Sequence, residues 1–263
     1  MSDTAVARHV LGVGSGKGGV GKTTASLNLA LALRERGRAV GVLDADLHGP
    51  NLPLMVGITR HAWTQEWTLA RHGGMRIAPI DRHGLKIVSA GLILGEDQPL
   101  QVPGMTAQAM LVQLLRQTEW GELDYLVVDL PPGTGDIQQA LLRQTALDHA
   151  IVVVTPQYVA HLDARKAVRM YRHARVPVLG GIENMAAMRC PHCGEPVEVF
   201  PAVPDDRSLW SMDVERIGSV PLDPRLSRAS DSGQVVFGDG AAPAPVDAFR
   251  AIASRVEELL SEA

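Results

Sequence analysis

The sequence predicts an α/β fold: a doubly wound, mostly parallel sheet with helices on both faces. Three observations carry this. Short apolar runs at 10–13, 39–43, 125–129, 150–154 and 176–182 are continuous rather than alternating, the mark of strands covered on both faces. Helical patterns separate them, so strand and helix alternate as parallel crossover units require. Glycines and aspartates cluster at the carboxyl ends of the runs, where such sheets bind their ligands.

The first strand leads into Gly16-Lys17-Gly18-Gly19-Val20-Gly21-Lys22-Thr23-Thr24, and an apolar-periodic helix then runs to about Arg36, with Gly37 as its cap. A strand, a glycine turn and a helix with Lys-Thr at its start form a phosphate-binding loop. Glycines let successive backbone N–H groups converge on phosphate oxygens, and the helix N-terminus adds its positive dipole end. Lys22 is placed for the β- and γ-phosphates and Thr23 for Mg²⁺.

The second strand ends in Asp44-Ala45-Asp46, whose two carboxylates share a face if the segment is extended. Residues 57–104 are hard to read; the stretch punctuated by Trp63, Trp67, Gly73-Gly74 and Pro79 reads as a loop or short hairpin insertion before a strand at 85–89. A helix over 105–118 feeds the strand that ends in Asp129, a position from which a carboxylate holds Mg²⁺ directly or through water. Pro131-Pro132-Gly133-Thr134-Gly135-Asp136 then suits a loop that senses the γ-phosphate. A helix over 136–145, the strand at 150–154, a helix over 160–174 and the strand at 176–182 complete the alternation.

Asn184 follows that strand, and Pro221-Leu222-Asp223 follows a short apolar run at 217–220. The basic run Arg165, Lys166, Arg169, Arg172, His173 and Arg175 reads as a solvated helix face. Residues 233–245 are linker-like. The pattern over 246–262 is amphipathic, but its polar face carries Asp247, Glu257, Glu258 and Glu262, so it predicts a helix docked on the core rather than on a membrane.

At 263 residues and 46% hydrophobic content, the chain is read as one domain, 1–263, with a flexible start at 1–8 and an insertion at 186–206. A net charge of −4 argues against recruitment of nucleic acid or anionic membrane. No apolar run approaches a membrane span, and Met1–Val10 lacks the apolar stretch of a signal peptide. Two cysteines make no disulfide framework and suit a reducing cytoplasm.

Those two form Cys190-Pro191-His192-Cys193-Gly194, a spacing that grips one metal ion or one edge of a cluster. Two thiolates do not complete a tetrahedral Zn²⁺ site or a 4Fe–4S cluster; a dimer would supply four. A histidine completing a zinc site within one chain, a redox pair and a chance pair remain open.

With Lys17 after its first glycine, the phosphate loop resembles that of the deviant P-loop ATPases, which include MinD, ParA and the nitrogenase iron protein. That resemblance implies that Lys17 reaches the partner's nucleotide across a dimer interface. The fuller set resembles the Mrp/ApbC family of iron–sulfur carrier ATPases. It comprises the loop, Asp44-Ala45-Asp46-Leu47-His48-Gly49-Pro50-Asn51-Leu52-Pro53, the segment from Asp129 to Asp136, Thr155-Pro156-Gln157, Asp163-Ala164-Arg165-Lys166, and Glu183-Asn184-Met185 running on to the cysteines.

The resemblance implies a P-loop NTPase fold and Mg²⁺-dependent ATP hydrolysis, with Lys17, Lys22 and Asp46 catalytic and Thr23, Asp44 and Asp129 around Mg²⁺. It places Asn184 and Asp223 at the adenine. It further implies a homodimer bridging a 4Fe–4S cluster through Cys190 and Cys193 and delivering it to apoproteins. Two stretches depart from the family pattern: 199–205 is not Gly-rich, and 101–104 reads Gln-Val-Pro-Gly. The competing reading is a MinD/ParA-like positioning or regulatory ATPase with a zinc-bridged dimer. A nitrogenase-type reductase would need a cysteine near 129–136, and none is there.

Overall fold

The computed structural model describes residues 6–47, 49–58, 70–71, 75–92, 104–135, 138–139, 141–142, 147–190, 192–201, 203–237 and 243–262. Its centre is an eight-stranded sheet in the order β12-β9-β8-β1-β7-β2-β6-β5. These strands are β1 (His9–Ser15), β2 (Val40–Asp44), β5 (Ile80–Arg82), β6 (Leu85–Ser89), β7 (Tyr125–Asp129), β8 (His149–Val154), β9 (Val178–Asn184) and β12 (Arg216–Val220). Every pairing is parallel except β5 with β6. Helices cover both faces, as the unbroken apolar strands require.

The principal helices are α1 (Lys22–Glu35), α2 (Leu52–Met55), α3 (Gly104–Gln117), α4 (Tyr158–His173), α5 (Pro224–Asp231) and α6 (Pro243–Glu262). Two small hairpins lie outside the main sheet: β3 (Ala70–Arg71) with β4 (Met75–Arg76), and β10 (Met188–Arg189) with β11 (Pro196–Val197). The expected helix over 136–145 falls mostly outside the described residues, as do Met1 to Ala5, His48, Asp136 and Pro191.

The expected strand at 85–89 forms, and a short strand just before it pairs with it as a hairpin. β5 turns into β6 through His83-Gly84, both at positive φ (52° and 71°), the backbone of a type I′ turn. The C-terminal helix docks as its charge pattern predicts. Val246, Phe249, Ile252, Ala253 and Val256 of α6 are buried, and the helix packs on α1 and β12. Among the described residues no helix is long and apolar enough to cross a membrane.

The basic run on α4 is not simply solvated. Arg165 donates to the carbonyls of Asp206 (3.0 Å) and Ser208 (3.4 Å), Arg172 donates to that of Met212, and Arg175 lies beyond the helix end at φ 59°. The Arg165 and Arg172 guanidiniums satisfy carbonyls of a segment at 205–212 built from two short 3₁₀ turns. His161, only 1% exposed, completes the anchorage: its Nδ1 accepts from the Leu209 N–H at 2.9 Å, and its ring meets Trp210 edge-on.

Burial pushes the His161 pKa below its ordinary value; Glu183 pulls it up and Arg216 pushes it further down. The unfolded chain therefore takes up a proton that the folded one resists. Stability from this group is complete above the ordinary histidine pKa of about 6.5 and is lost as pH falls below it. Melting curves from pH 8 to 5 should show wild type losing more stability on acidification than His161→Gln. Parallel losses would refute the assignment.

Candidate nucleotide and metal-binding sites

Parallel register brings the acidic residues together. Asp44 ends β2 and lies opposite Asp129 at the end of β7, which in turn pairs with Val13 just before the loop. Three strand ends thus deliver two buried carboxylates to the mouth of the loop after β1. Both are 0% exposed.

The loop adopts the shape its glycines allow. Gly21, at φ 82°, precedes α1 and lies so close to Asn184 that a Cβ would sit 2.2 Å from its Nδ2. Gly16 packs on the backbone of α4, where a Cβ would meet the Asp163 carbonyl carbon at 2.0 Å. At Gly18 and Gly19 a Cβ would meet nothing within 4 Å among the described residues, so the loop's outer rim is open for phosphate oxygens.

Lys22, 6% exposed, places Nζ 2.8 Å from Asp129 Oδ1 and 3.7 Å from Asp46 Oδ2. Its ammonium is thus held between two carboxylates at the mouth of the loop. Thr23 Oγ1 donates to Asp129 Oδ2 at 2.7 Å. Asp44 accepts from Ser89 Oγ at 2.8 Å and from the Asp46 N–H at 3.1 Å. Burial first, and then the nearby Asp129 charge, pushes the Asp44 carboxyl up to about 7. A site that strains its carboxylates in this way gains from a cation.

Among the described residues no three His, Cys, Asp or Glu converge as a metal cage. Mg²⁺ does not need one, because it is held by one or two carboxylates with water and substrate phosphates. The donor set of Thr23, Asp129 and Asp44 fits that ion.

Sequence reasoning missed two residues of this site. Ser26 Oγ donates to Asp129 Oδ1 at 2.8 Å, and Ser89 orients Asp44. Ser26 lies three positions beyond Thr23, on the same helix face, and Ser89 stands opposite Asp44 in the β2–β6 register. The first was findable from spacing; the second needed the sheet order.

Lys17 is half-buried, and its side chain has no hydrogen bond or ion pair among the described residues. The loop after Asp129 is tied to the phosphate loop through Gly133 N–H to the Ser15 carbonyl, at 3.1 Å. Asp136 at its far end lies outside the described residues.

Beside the loop lies a cleft of about 340 Å³ lined by Gly21, Thr24, Asn184, Leu222, Asp223 and Leu226, among others. That volume suits a small ligand. Asn184 spends its amide on the Val20 carbonyl (2.8 Å), bracing the loop from below. Asp223 caps α5 and grips Arg225 through both oxygens, which holds its carboxyl below the usual range. It is on the cleft wall, and capping is the role its contacts show.

The cysteines sit on a knuckle between β10 and β11. Cys190 N–H donates to the Glu195 carbonyl (2.8 Å), Gly194 N–H donates back to Cys190 (2.9 Å), and Gly194 adopts φ 76°. Backbone amides of Cys193 and His192, with the Cys193 thiol, hold the Cys190 thiol below its ordinary pKa. Cys190 is half-exposed and Cys193 exposed. Among the described residues no third metal-ligating side chain joins them.

Comparison with known proteins agrees with this geometry. The family model described as ParA, NUBPL iron-transfer P-loop NTPase, matches residues 6–257. An iron–sulfur cluster carrier protein of Pyrococcus furiosus is 40% identical over 97% of this chain and 88% of its own length. The iron–sulfur cluster transfer protein NUBPL of Mus musculus is 39% identical over 95% of this chain and 76% of its own. The carrier protein of Aquifex aeolicus is 42% identical over 87% of this chain, which spans 62% of that protein's length.

Among solved structures, a nucleotide-binding protein of Archaeoglobus fulgidus in complex with ADP superposes with a TM-score of 0.73, at 33% identity and 88% coverage of each chain. The septum site-determining protein MinD of Pyrococcus horikoshii shares the fold, with a TM-score of 0.67 at 23% identity over 97% of this chain and 98% of its own. On the match of nearly its whole length, the chain belongs to the family of ParA/NUBPL-type iron-transfer P-loop NTPases.

Proposed function

We propose that the protein is an ATP-hydrolysing carrier that binds a 4Fe–4S cluster between two copies of itself and transfers it to apoproteins in a reducing cytoplasm. One observation carries the reading: a thiol pair on a solvent-accessible knuckle, Cys190 half-exposed and Cys193 exposed, with no third ligand in its own chain among the described residues. A second copy supplies the missing two thiolates. In this reading one unit over 1–263 carries the nucleotide site, with 186–206 as its metal-binding insertion.

Gly16, Lys17, Gly18, Gly19, Val20, Gly21, Lys22, Thr23 and Thr24 cradle the phosphates, and the cleft at Asn184 and Asp223 receives the adenine. Thr23, Asp129 and Asp44 would hold Mg²⁺, which would supply positive charge to the bound phosphates. Lys22 turns from Asp129 to the phosphates, and Asp46 orients the attacking water. Phosphoryl transfer asks for little beyond such positioning and charge stabilisation.

The homodimer has support from the surface near Lys17. Tyr158, Val159 and Leu162 are 40%, 59% and 39% exposed on the first turns of α4, next to the Asp163–Ala164 backbone on which Gly16 packs. An unpaired lysine beside exposed apolar side chains suits contact with a second nucleotide-loaded copy. Lys17→Ala should retain nucleotide binding and lose hydrolysis by about tenfold or more, the scale of one charged contact at the transition state. Unchanged turnover would count against a role across the interface.

The reading as a whole is tested by anaerobic reconstitution with iron and sulfide, which should give about four irons per dimer and broad visible absorption. Tight stoichiometric zinc with no cluster uptake would overturn it in favour of a zinc-bridged regulatory ATPase.

A further inference from the structure

The segment after β12 touches both sites. Pro221, Leu222 and Asp223 line the cleft beside the phosphate loop and also a second cleft containing Met188 and Cys190. The chain leaving β9 is stitched to this wall by two backbone hydrogen bonds: Ala186 N–H to the Val220 carbonyl (3.0 Å) and Leu222 N–H to the Ala187 carbonyl (2.8 Å). Three residues beyond Ala187, the chain reaches Cys190.

Between the loop and that stitch there is little slack. Asn184 is hydrogen-bonded to the Val20 carbonyl, and Met185 turns the chain at φ 58°, a conformation that costs a non-glycine residue and persists only where its surroundings fix it. On the other side, the Asp223 carboxylate caps α5 and holds Arg225, which also lines the Cys190 cleft. The knuckle stem and the Arg225 side of its cleft are thus both anchored to the shared wall.

We propose that Leu222 is a positioning residue through which occupancy of the base cleft sets the position of Cys190 within one chain. The inference rests on the reading of that cleft as the nucleotide's base site. It adds a route that does not require the second copy.

The test is the alkylation rate of each cysteine in metal-free protein, followed by mass spectrometry with and without ADP. The protein is kept dilute enough to remain monomeric by light scattering, and ADP is used at concentrations that saturate each variant by calorimetry. ADP probes the cleft without a γ-phosphate to hydrolyse. ADP should change the Cys190 rate about fivefold or more in wild type, the scale of a modest coupling between sites. Leu222→Ala should abolish that response, and Leu222→Met, which keeps the bulk, should restore it.

Binding of ADP with no change at Cys190, a full response in Leu222→Ala, or a response that appears only as protein concentration rises would each overturn the proposal. Failure of ADP to bind would remove the base-site reading and the proposal with it. If Leu222→Ala does not fold, absence of the response in the folded Leu222→Met variant would overturn it equally.

Discussion

Lys22→Ala should lower the turnover of ATP by at least about 100-fold, the scale on which removal of one preorganised charge stabiliser acts. The structure adds a second consequence. Lys22 is the cation against which the fully buried Asp129 is held, at 2.8 Å, with Asp46 at 3.7 Å. Removing one partner of a buried ion pair leaves an uncompensated charge and costs about 3–5 kcal/mol. The ligand-free variant should therefore melt well below wild type, and Mg²⁺ should recover part of the difference by supplying the missing positive charge. Steady-state hydrolysis and melting curves with and without Mg²⁺ read both effects. Turnover within threefold of wild type would refute the assignment of Lys22.

Cys190→Ala should reduce reconstituted iron from about four per dimer to near none, because two remaining thiolates per dimer cannot complete a cluster. Alanine is the informative change, since a serine oxygen can still act as a ligand. Cys190 and Cys193 lie on a short hairpin held by the Glu195 and Cys190 carbonyls, so the backbone should survive the substitution. Circular dichroism and ATP turnover check that it does. Cys193→Ala should lose iron equally. A variant that retains full iron and its visible spectrum would show that the knuckle is not where the cluster binds.

Much of the fold was readable because its signals are local. Continuous apolar strands, a glycine loop followed by Lys-Thr, and aspartates closing β2 and β7 each occupy a few adjacent residues, and each implies its geometry through backbone sterics and burial. The docked α6 was readable from its acidic polar face. What escaped was set by partners distant in sequence. α5 was not anticipated because Leu226 is its only buried residue, so no apolar period marks it. Arg165 and Arg172 of α4 read as solvated because nothing local shows that they hold carbonyls at 206, 208 and 212.

The sequence by itself determined the kind of chemistry: a phosphate loop, carboxylates at strand ends and a thiol pair, each defined by contiguous residues. Only the tertiary structure decided how these parts meet. The order of strands around β1 sets Asp44 opposite Asp129 and Ser89 beside it. The approach of β9 to the loop commits the Asn184 amide to Val20. The crossing from β12 to α5 makes one wall serve both the base cleft and the cysteine knuckle. The physical reason is that strand register and chain return are fixed by packing of the whole sheet, a sum over buried contacts that no short stretch of sequence contains.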